Sequence, residues 1–137
     1  MGAETSVAIA LLFLGFLIMG AALYSSVDYS QSLVKKAQSD QDTMKKTKMQ
    51  TDITIMNATN KTSSLNITLK NTGKTTLNAS LLDAFVDGIK YNYTLLSSGK
   101  TWTSENNTNL SIAMTNSTGK RLKIITENGI SDYAIVP

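Results

Sequence analysis

The sequence contains no cysteine and no histidine, and its only proline is the last residue. Without these side chains the chain has no disulfide framework, no zinc finger, and no nucleophilic mechanism that depends on a cysteine or an imidazole. Charged residues make up only 17% of the 137 residues, and the net charge of +3 is too small to indicate a nucleic-acid partner. Ser, Thr and Asn, 44 residues in all, supply most of the polar surface instead.

One long apolar segment lies near the N-terminus. Residues 5–27 form a run of 23 residues without a charge, eleven of which are Val, Ile, Leu or Phe. As a helix this run is roughly 35 Å long, enough to cross a hydrocarbon core of about 30 Å. A buried core helix is the weaker interpretation, because so small a domain cannot surround a helix that is apolar on every face. A cleaved signal is also weaker, since no basic segment precedes the run. We therefore predict that residues 1–27 are a transmembrane anchor.

A polar helix is expected to follow the anchor. Residues 28–50 contain no Gly or Pro and are rich in Gln, Lys, Met and Ala, which favour helix. A heptad register has apolar residues at only four of its seven positions, which is poor for a coiled coil. We interpret residues 28–50 as a solvated stalk. Self-association through this stalk, giving a homo-oligomer, is the alternative.

After Gln50 the apolar pattern changes to the period of two that is typical of half-buried strands. The alternating segments begin at Ile53, Leu65, Leu77, Leu110 and Leu122, and Gly-containing turn signals separate most of them. Seven or eight short strands in residues 51–137 predict an immunoglobulin-like antiparallel β-sandwich. The fold class is therefore mainly β, preceded by the transmembrane helix and its helical stalk.

Two hairpins have turns of the type that Asn-Gly and Asp-Gly favour. Asn128-Gly129 is expected to pair Thr126 with Ser131, so that the apolar side chains on both strands share one face. Asp87-Gly88 is expected to join residues 84–86 to residues 89–93. With no disulfide, the core depends on packing. Its largest predicted fillers are Trp102, Phe85, Tyr91, Tyr93 and Tyr133.

Eight of the eleven asparagines are candidate N-glycosylation acceptors in Asn-x-Ser/Thr motifs, or sequons. These eight are Asn57, Asn60, Asn66, Asn78, Asn92, Asn106, Asn109 and Asn116. Asn66, Asn78 and Asn109 fall on the predicted solvent-facing side of their strands, where a glycan has room. A surface rich in Thr and Asn produces such motifs by composition alone, but their density favours a domain outside the cytoplasm.

Candidate catalytic or metal-binding residues are few. Within residues 51–137, Asp83 and Asp87 are the closest pair of carboxylates, and without a third ligand nearby they make a poor calcium site. Lys120, Arg121 and Lys123 form the main basic cluster of this region, and solvated charge is the simplest interpretation of it. We expect no catalytic site, no metal, no cofactor, and a binding or structural role.

Three segments together resemble a known family. They are the apolar MGAETSVAIALLFLGFLIMGAALY, the polar SSVDYSQSLVKKAQ, and LKNTGKTTLNASLLDAFVDGI over residues 69–89. In this order they resemble the archaellum accessory proteins of the FlaF/FlaG group, and the FlaF pattern in particular. The resemblance implies a sandwich outside the archaeal cell membrane that acts as a stator, in contact with surface-layer protein and a FlaG-type protein. Membrane lipid and further copies of the chain are the other expected partners.

The alternative is a pilin- or archaellin-like structural subunit that polymerises through its N-terminal helix. Such subunits are normally processed after a basic leader, whereas only Met1 and Gly2 precede Ala3-Glu4 here, so a processed subunit is the weaker interpretation. Orientation has two conflicting signals. Lys35 and Lys36 favour a cytoplasmic C-terminal part, while the sequons, the sandwich and the resemblance favour the outside. We expect the N-terminus inside and the C-terminal domain outside.

Overall fold

The computed structural model describes residues 2–137. A single α-helix, α1, runs from Gly2 to Gln50 without interruption, so the predicted anchor and stalk are two parts of one helix. Its 49 residues correspond to roughly 74 Å at about 1.5 Å per residue. No residue of α1 within the described part of the chain is buried, and its most apolar window has a mean hydropathy of 2.5. By length and composition the helix is able to cross a membrane.

The chain divides into two compact units between Thr43 and Met44, within the last two turns of α1. The second unit therefore includes the end of the helix together with all of the strands. The boundaries predicted at residues 27 and 50 remain predictions.

Ten strands follow the helix, two or three more than predicted. They are β1 (Ile53–Asn60), β2 (Leu65–Asn71), β3 (Leu77–Asn78), β4 (Asp83–Val86), β5 (Ile89–Tyr91), β6 (Tyr93–Leu95), β7 (Thr101–Trp102), β8 (Asn107–Ile112), β9 (Arg121–Ile125) and β10 (Ser131–Ile135). The first sheet has the order β1-β2-β8-β6, the second sheet has the order β10-β9-β4-β5, and β3 pairs with β7. All pairs are antiparallel. The predicted fold class is confirmed.

The core lies between the two main sheets, as the alternating pattern predicts. Every second residue of β2 is buried, and β8, β9 and β4 show the same alternation. The largest fully buried apolar side chains are Leu65, Ile67, Leu69, Leu110, Ile112, Leu122, Ile124, Val86 and Val136. Trp102 is 2% exposed, and its indole N–H donates to the carbonyl of Asn106 at 2.7 Å. Because these residues come from both sheets, they form one continuous core.

The Asp87-Gly88 hairpin is confirmed. Asp87 and Gly88 both have positive φ, 51° and 82°, as a two-residue type I′ turn requires. Val86 pairs with Ile89, and β5 ends at Tyr91 rather than continuing to residue 93. The chain then passes to the first sheet, in which Tyr93 begins β6.

The register predicted for the last hairpin is wrong by one residue. Gly129 has a φ of 78°, but Asn128 does not share this conformation. The Gly129 N–H donates to the carbonyl of Thr126, and the Thr126 N–H donates to that of Ile130. This is a three-residue loop with a glycine bulge, so Ile125 pairs with Ser131. A shift of one residue turns every side chain of β10 over, and the predicted inward residues of this strand face outward.

Two further predictions about the core are wrong. Residues 79–81 form a 3₁₀ turn instead of continuing the strand that begins at Leu77, and Leu81 is exposed. The Asn78 side chain caps this turn by accepting from the Ser80 N–H at 3.0 Å, which competes with strand pairing. Two of the predicted aromatic fillers, Phe85 and Tyr133, lie on the outer side of the second sheet.

Candidate binding face and helix joint

The outer side of the second sheet carries a group of aromatic, aliphatic and basic side chains. We call it the aromatic–basic face, and it consists of Phe85, Arg121, Lys123, Ile125, Tyr133 and Ile135. Strand register places Phe85, Lys123 and Tyr133 side by side on β4, β9 and β10. Tyr133 is 54% exposed and Ile135 is 71% exposed. Apolar side chains that remain exposed beside cations are typical of surfaces that bind a partner.

Electrostatic contacts organise this face. The Lys123 ammonium lies 5.0 Å from the centre of the Tyr133 ring. A hydrogen-bond interaction with Lys123 lowers the pKa of the Tyr133 phenol below its usual value, and Ser131 contributes in the same direction. The backbone N–H of Arg121 donates to the Asp87 carboxylate at 2.9 Å, and Arg121 is exposed. A shallow depression of about 710 Å³ lies between these residues.

The two carboxylates nearest this face are engaged in other contacts. Asp83, one of the two candidate calcium ligands, forms an ion pair with Lys90 at 2.6 Å, and Asp87 accepts from the backbone. Within residues 2–137 no three metal-ligating side chains come together. The sequence places Arg121 and Lys123 in a solvated cluster, but it misses Phe85 and Tyr133 as their neighbours. These side chains become neighbours only in the observed register of the last hairpin, in which Tyr133 pairs with Lys123.

A second feature is the joint between the last turn of α1 and residues 71–75, which we call the clamp loop. The carbonyl of Gln50, one of the helix-end acceptors, accepts from the Lys74 N–H at 2.8 Å and from the Thr75 N–H at 3.2 Å. The carbonyl of Asp52 accepts from the N–H groups of Thr72 and Gly73 at 3.1 and 3.0 Å. These bonds fix the helix end to the loop that follows β2.

Buried side-chain contacts hold the clamp loop in turn. The Asn71 amide is fully buried, donates to the carbonyls of Thr75 and Trp102 at 2.8 and 3.1 Å, and accepts from the Gly73 N–H at 3.1 Å. The Asn128 amide donates to the hydroxyl of Thr51 at 2.9 Å. The sequence shows residues 71–73 as a turn and gives no sign that they hold the helix.

The eight sequon asparagines are distributed unevenly. Five of them are exposed: Asn57, Asn92, Asn106, Asn109 and Asn116. The other three are half-buried: Asn60, Asn66 and Asn78. None of the eight belongs to a strand of the second sheet. The aromatic–basic face therefore carries no acceptor.

Comparison with known proteins gives a fold but no family. No protein-family model matches the sequence, and no curated protein matches it. Among solved structures, the chain is similar to the archaellum periplasmic stator protein FlaG from Sulfolobus acidocaldarius. The TM-score is 0.51 and the identity 18%, over 62% of this chain and 98% of that chain. This chain has the FlaG fold.

A second similar structure is the archaellum periplasmic stator protein complex of FlaF and FlaG from Sulfolobus acidocaldarius. Its TM-score is 0.49 and its identity 20%, over 61% of this chain and 86% of that chain. The resemblance of the sequence to the FlaF/FlaG group is confirmed at the level of the fold by the match to FlaG.

Proposed function

We propose that this chain is a membrane-anchored stator component of an archaellum motor, with its β-domain outside the cell membrane. The observation that carries the proposal is the fold shared with the stator protein FlaG over nearly the whole of that chain. A stator has to hold a fixed position while the motor turns. This requires a membrane anchor, a stiff connection, and a surface that binds a fixed partner, which we call the grip. The chain has a feature that suits each of these three requirements.

The anchor is the apolar part of α1. Its eleven Val, Ile, Leu and Phe residues supply roughly −3 to −7 kcal/mol of insertion free energy. Tyr24 lies near the C-terminal end of the apolar run and Tyr29 just beyond it, where aromatic rings favour the membrane interface. With the short N-terminus inside, these tyrosines lie at the outer interface.

The stiff connection is the helix joint. Four backbone hydrogen bonds link the carbonyls of Gln50 and Asp52 to the clamp loop, and that loop is held by the buried Asn71. A load applied to the β-domain therefore reaches the end of α1 through hydrogen bonds and not through a flexible linker. A Gly/Ser-rich linker at this point would let the domain turn freely.

The grip is the aromatic–basic face. Exposed aromatic and aliphatic side chains beside Arg121 and Lys123 suit a protein surface that offers carboxylates around an apolar patch. We propose surface-layer protein as the partner that this face holds, and a FlaG-type protein as a further partner. Weak contacts of this kind become effective when many copies act together.

The test is a photo-crosslinking amino acid placed at Tyr133 in the full-length chain, in motile archaeal cells. We expect it to capture surface-layer protein. The matched control replaces Asn107, which is exposed on the outer side of the first sheet. Capture at Asn107 alone, or equally at both positions, would contradict the assignment of the grip to the second sheet.

A filament subunit remains the second candidate, because no residue of the apolar helix is buried within the described chain. A sized membrane extract separates the two functions. Discrete small oligomers support an anchor, whereas open-ended fibres support a subunit that polymerises through α1.

A further inference from the structure

Four of the eight sequons share one surface, the outer side of the first sheet. In one row across this sheet, Asn57 on β1 and Asn109 on β8 both lie opposite Thr68 on β2. In the next row, Thr59 and Ser111 both lie opposite Asn66. Asn57, Asn66 and Asn109 are thus each next to the hydroxyl residue of another sequon. Thr94, the hydroxyl residue of the Asn92 sequon, extends the second row on β6.

We call this arrangement the sequon grid. Its members are Asn57, Thr59, Asn66, Thr68, Asn92, Thr94, Asn109 and Ser111. Among residues 2–137, none of these eight side chains takes part in a hydrogen bond or an ion pair. Three of the four acceptors, Asn57, Asn92 and Asn109, are exposed, and Asn66 at the centre is half-buried. Both functional groups of each sequon are therefore free.

Two sequons outside the grid are blocked by a single hydrogen bond. The Asn60 amide nitrogen donates to the hydroxyl of Thr118 at 3.0 Å, and the Asn60 amide oxygen is buried. Thr118 is the hydroxyl residue of the Asn116 sequon. The bond occupies the acceptor nitrogen of one sequon and the hydroxyl of the other.

A third sequon, that of Asn106, is blocked by burial. Its hydroxyl residue, Thr108, is 2% exposed and shares a hydrogen bond with Ser97 at 2.8 Å. The Asn106 amide also donates to Thr103. The remaining sequon, at Asn78, lies away from the grid and caps the 3₁₀ turn.

We propose that Asn57, Asn92 and Asn109 carry N-linked glycans, so that the outer side of the first sheet is a glycosylated face. The inference rests on the proposed location of the β-domain outside the membrane. The glycan donor is a lipid-phosphate-linked oligosaccharide. The amide nitrogen forms a bond to the anomeric carbon of the sugar, the bond from that carbon to the lipid phosphate breaks, the lipid phosphate leaves, and the amide loses one proton to a base.

Spacing in the sheet allows the three glycans to coexist. Asn57 and Asn109 lie two strands apart in the same row, which is about 10 Å. Asn92 directly precedes the edge strand β6 and lies two rows away from Asn57 and Asn109, because Thr94 shares the row of Asn66 and Ser111. Glycans on this side leave the aromatic–basic face of the second sheet free, which explains how a heavily modified domain retains a surface for a protein partner.

The test uses the full-length chain purified from the membranes of an archaeal host that performs N-glycosylation. Glycopeptide mass spectrometry should find glycans at Asn57, Asn92 and Asn109. The variants Asn109→Gln and Ser111→Ala should each lose the same single glycan mass, although only the first removes the acceptor. Asn107→Gln is the matched control, because Asn107 is exposed on the same side of the sheet but is not a glycan acceptor; it is the middle residue of the Asn106 sequon, which this substitution leaves intact.

Unmodified Asn57, Asn92 and Asn109 would overturn the proposal. A glycan at Asn60, Asn106 or Asn116 would overturn the criterion on which it rests, that hydrogen bonds or burial of the sequon side chains prevent glycosylation. The variant Ser98→Cys, expressed in the same host, separates this result from a failure of the proposed location. If an impermeant thiol reagent labels intact cells and the grid is unmodified, the glycosylated face alone is wrong. If neither labelling nor glycans are found, the outside location is wrong as well.

Discussion

Replacing Gly73 with alanine should disrupt the helix joint. A Cβ at this position would meet the backbone nitrogen of Asp52, the carbonyl oxygen of Gln50 at 2.5 Å and the carbonyl carbon of Thr51 at 3.0 Å. These atoms are all backbone, so either the helix end or the clamp loop has to move. The movement weakens the hydrogen bonds that Gln50 and Asp52 accept. Overpacking together with weakened hydrogen bonds should cost on the order of 2–4 kcal/mol of unfolding free energy.

The effect is measurable with the single tryptophan. Trp102 is buried in the β-domain, so its fluorescence during thermal unfolding in detergent reports on that domain. For a domain of this size, Gly73→Ala should lower Tm by roughly 10–30 °C. Gly99→Ala is the matched control, because its Cβ would meet only the Thr101 carbonyl oxygen, at 3.9 Å. A Gly73→Ala variant that melts like the wild type and like the control would refute the close packing of the joint.

Three further substitutions test other parts of the fold. Gly129→Val puts a β-branched residue at a φ of 78° and should cost about 1–3 kcal/mol, measured by denaturant unfolding; an unchanged midpoint would show that the loop has another conformation. Leu110→Ala should cost about 2–5 kcal/mol because Leu110 is fully buried, whereas the exposed Leu96→Ala should change stability little; equal effects would contradict the core assignment. Burial raises the pKa of Tyr93 above 10, so the folded state favours the neutral phenol. The contribution of Tyr93 to stability should therefore be fully present below the usual pKa of a tyrosine and be lost as the pH rises through its raised pKa in the folded state. Tyr93→Phe should reduce this loss of stability at high pH, whereas Tyr91→Phe should leave it unchanged. Identical stability-versus-pH profiles for the two variants would contradict the assignment of the loss to Tyr93.

Where one face of a strand is buried, the sequence predicts it well. The alternation at Leu65, Ile67 and Leu69 identifies β2, and Asp87-Gly88 identifies the turn between β4 and β5. In both cases a local signal and the packing of the core favour the same structure. The fold class follows from such segments, and the match to FlaG confirms it.

Predictions fail where two local signals compete. By sequence, Asn128-Gly129 fits a two-residue turn. The loop in fact contains three residues, so the register of β10 shifts by one and its side chains exchange faces. Val136, which directly follows β10, then becomes the buried residue, and Ile135 becomes exposed. The aromatic–basic face depends on this register, so it could not be predicted from the residues alone. The helix joint depends on contacts between segments about twenty residues apart, which no local pattern reveals.

The location of the β-domain is the central claim, and one labelling experiment tests it most directly. The chain has no cysteine, so Ser98→Cys introduces a single thiol at an exposed position of the β-domain. Glu4→Cys, before the apolar run, is the matched control. With the surface layer stripped, a membrane-impermeant thiol reagent should label Ser98→Cys on intact cells and label Glu4→Cys only after lysis. Labelling of Ser98→Cys only after lysis would contradict both the outside location and the grip on an external lattice.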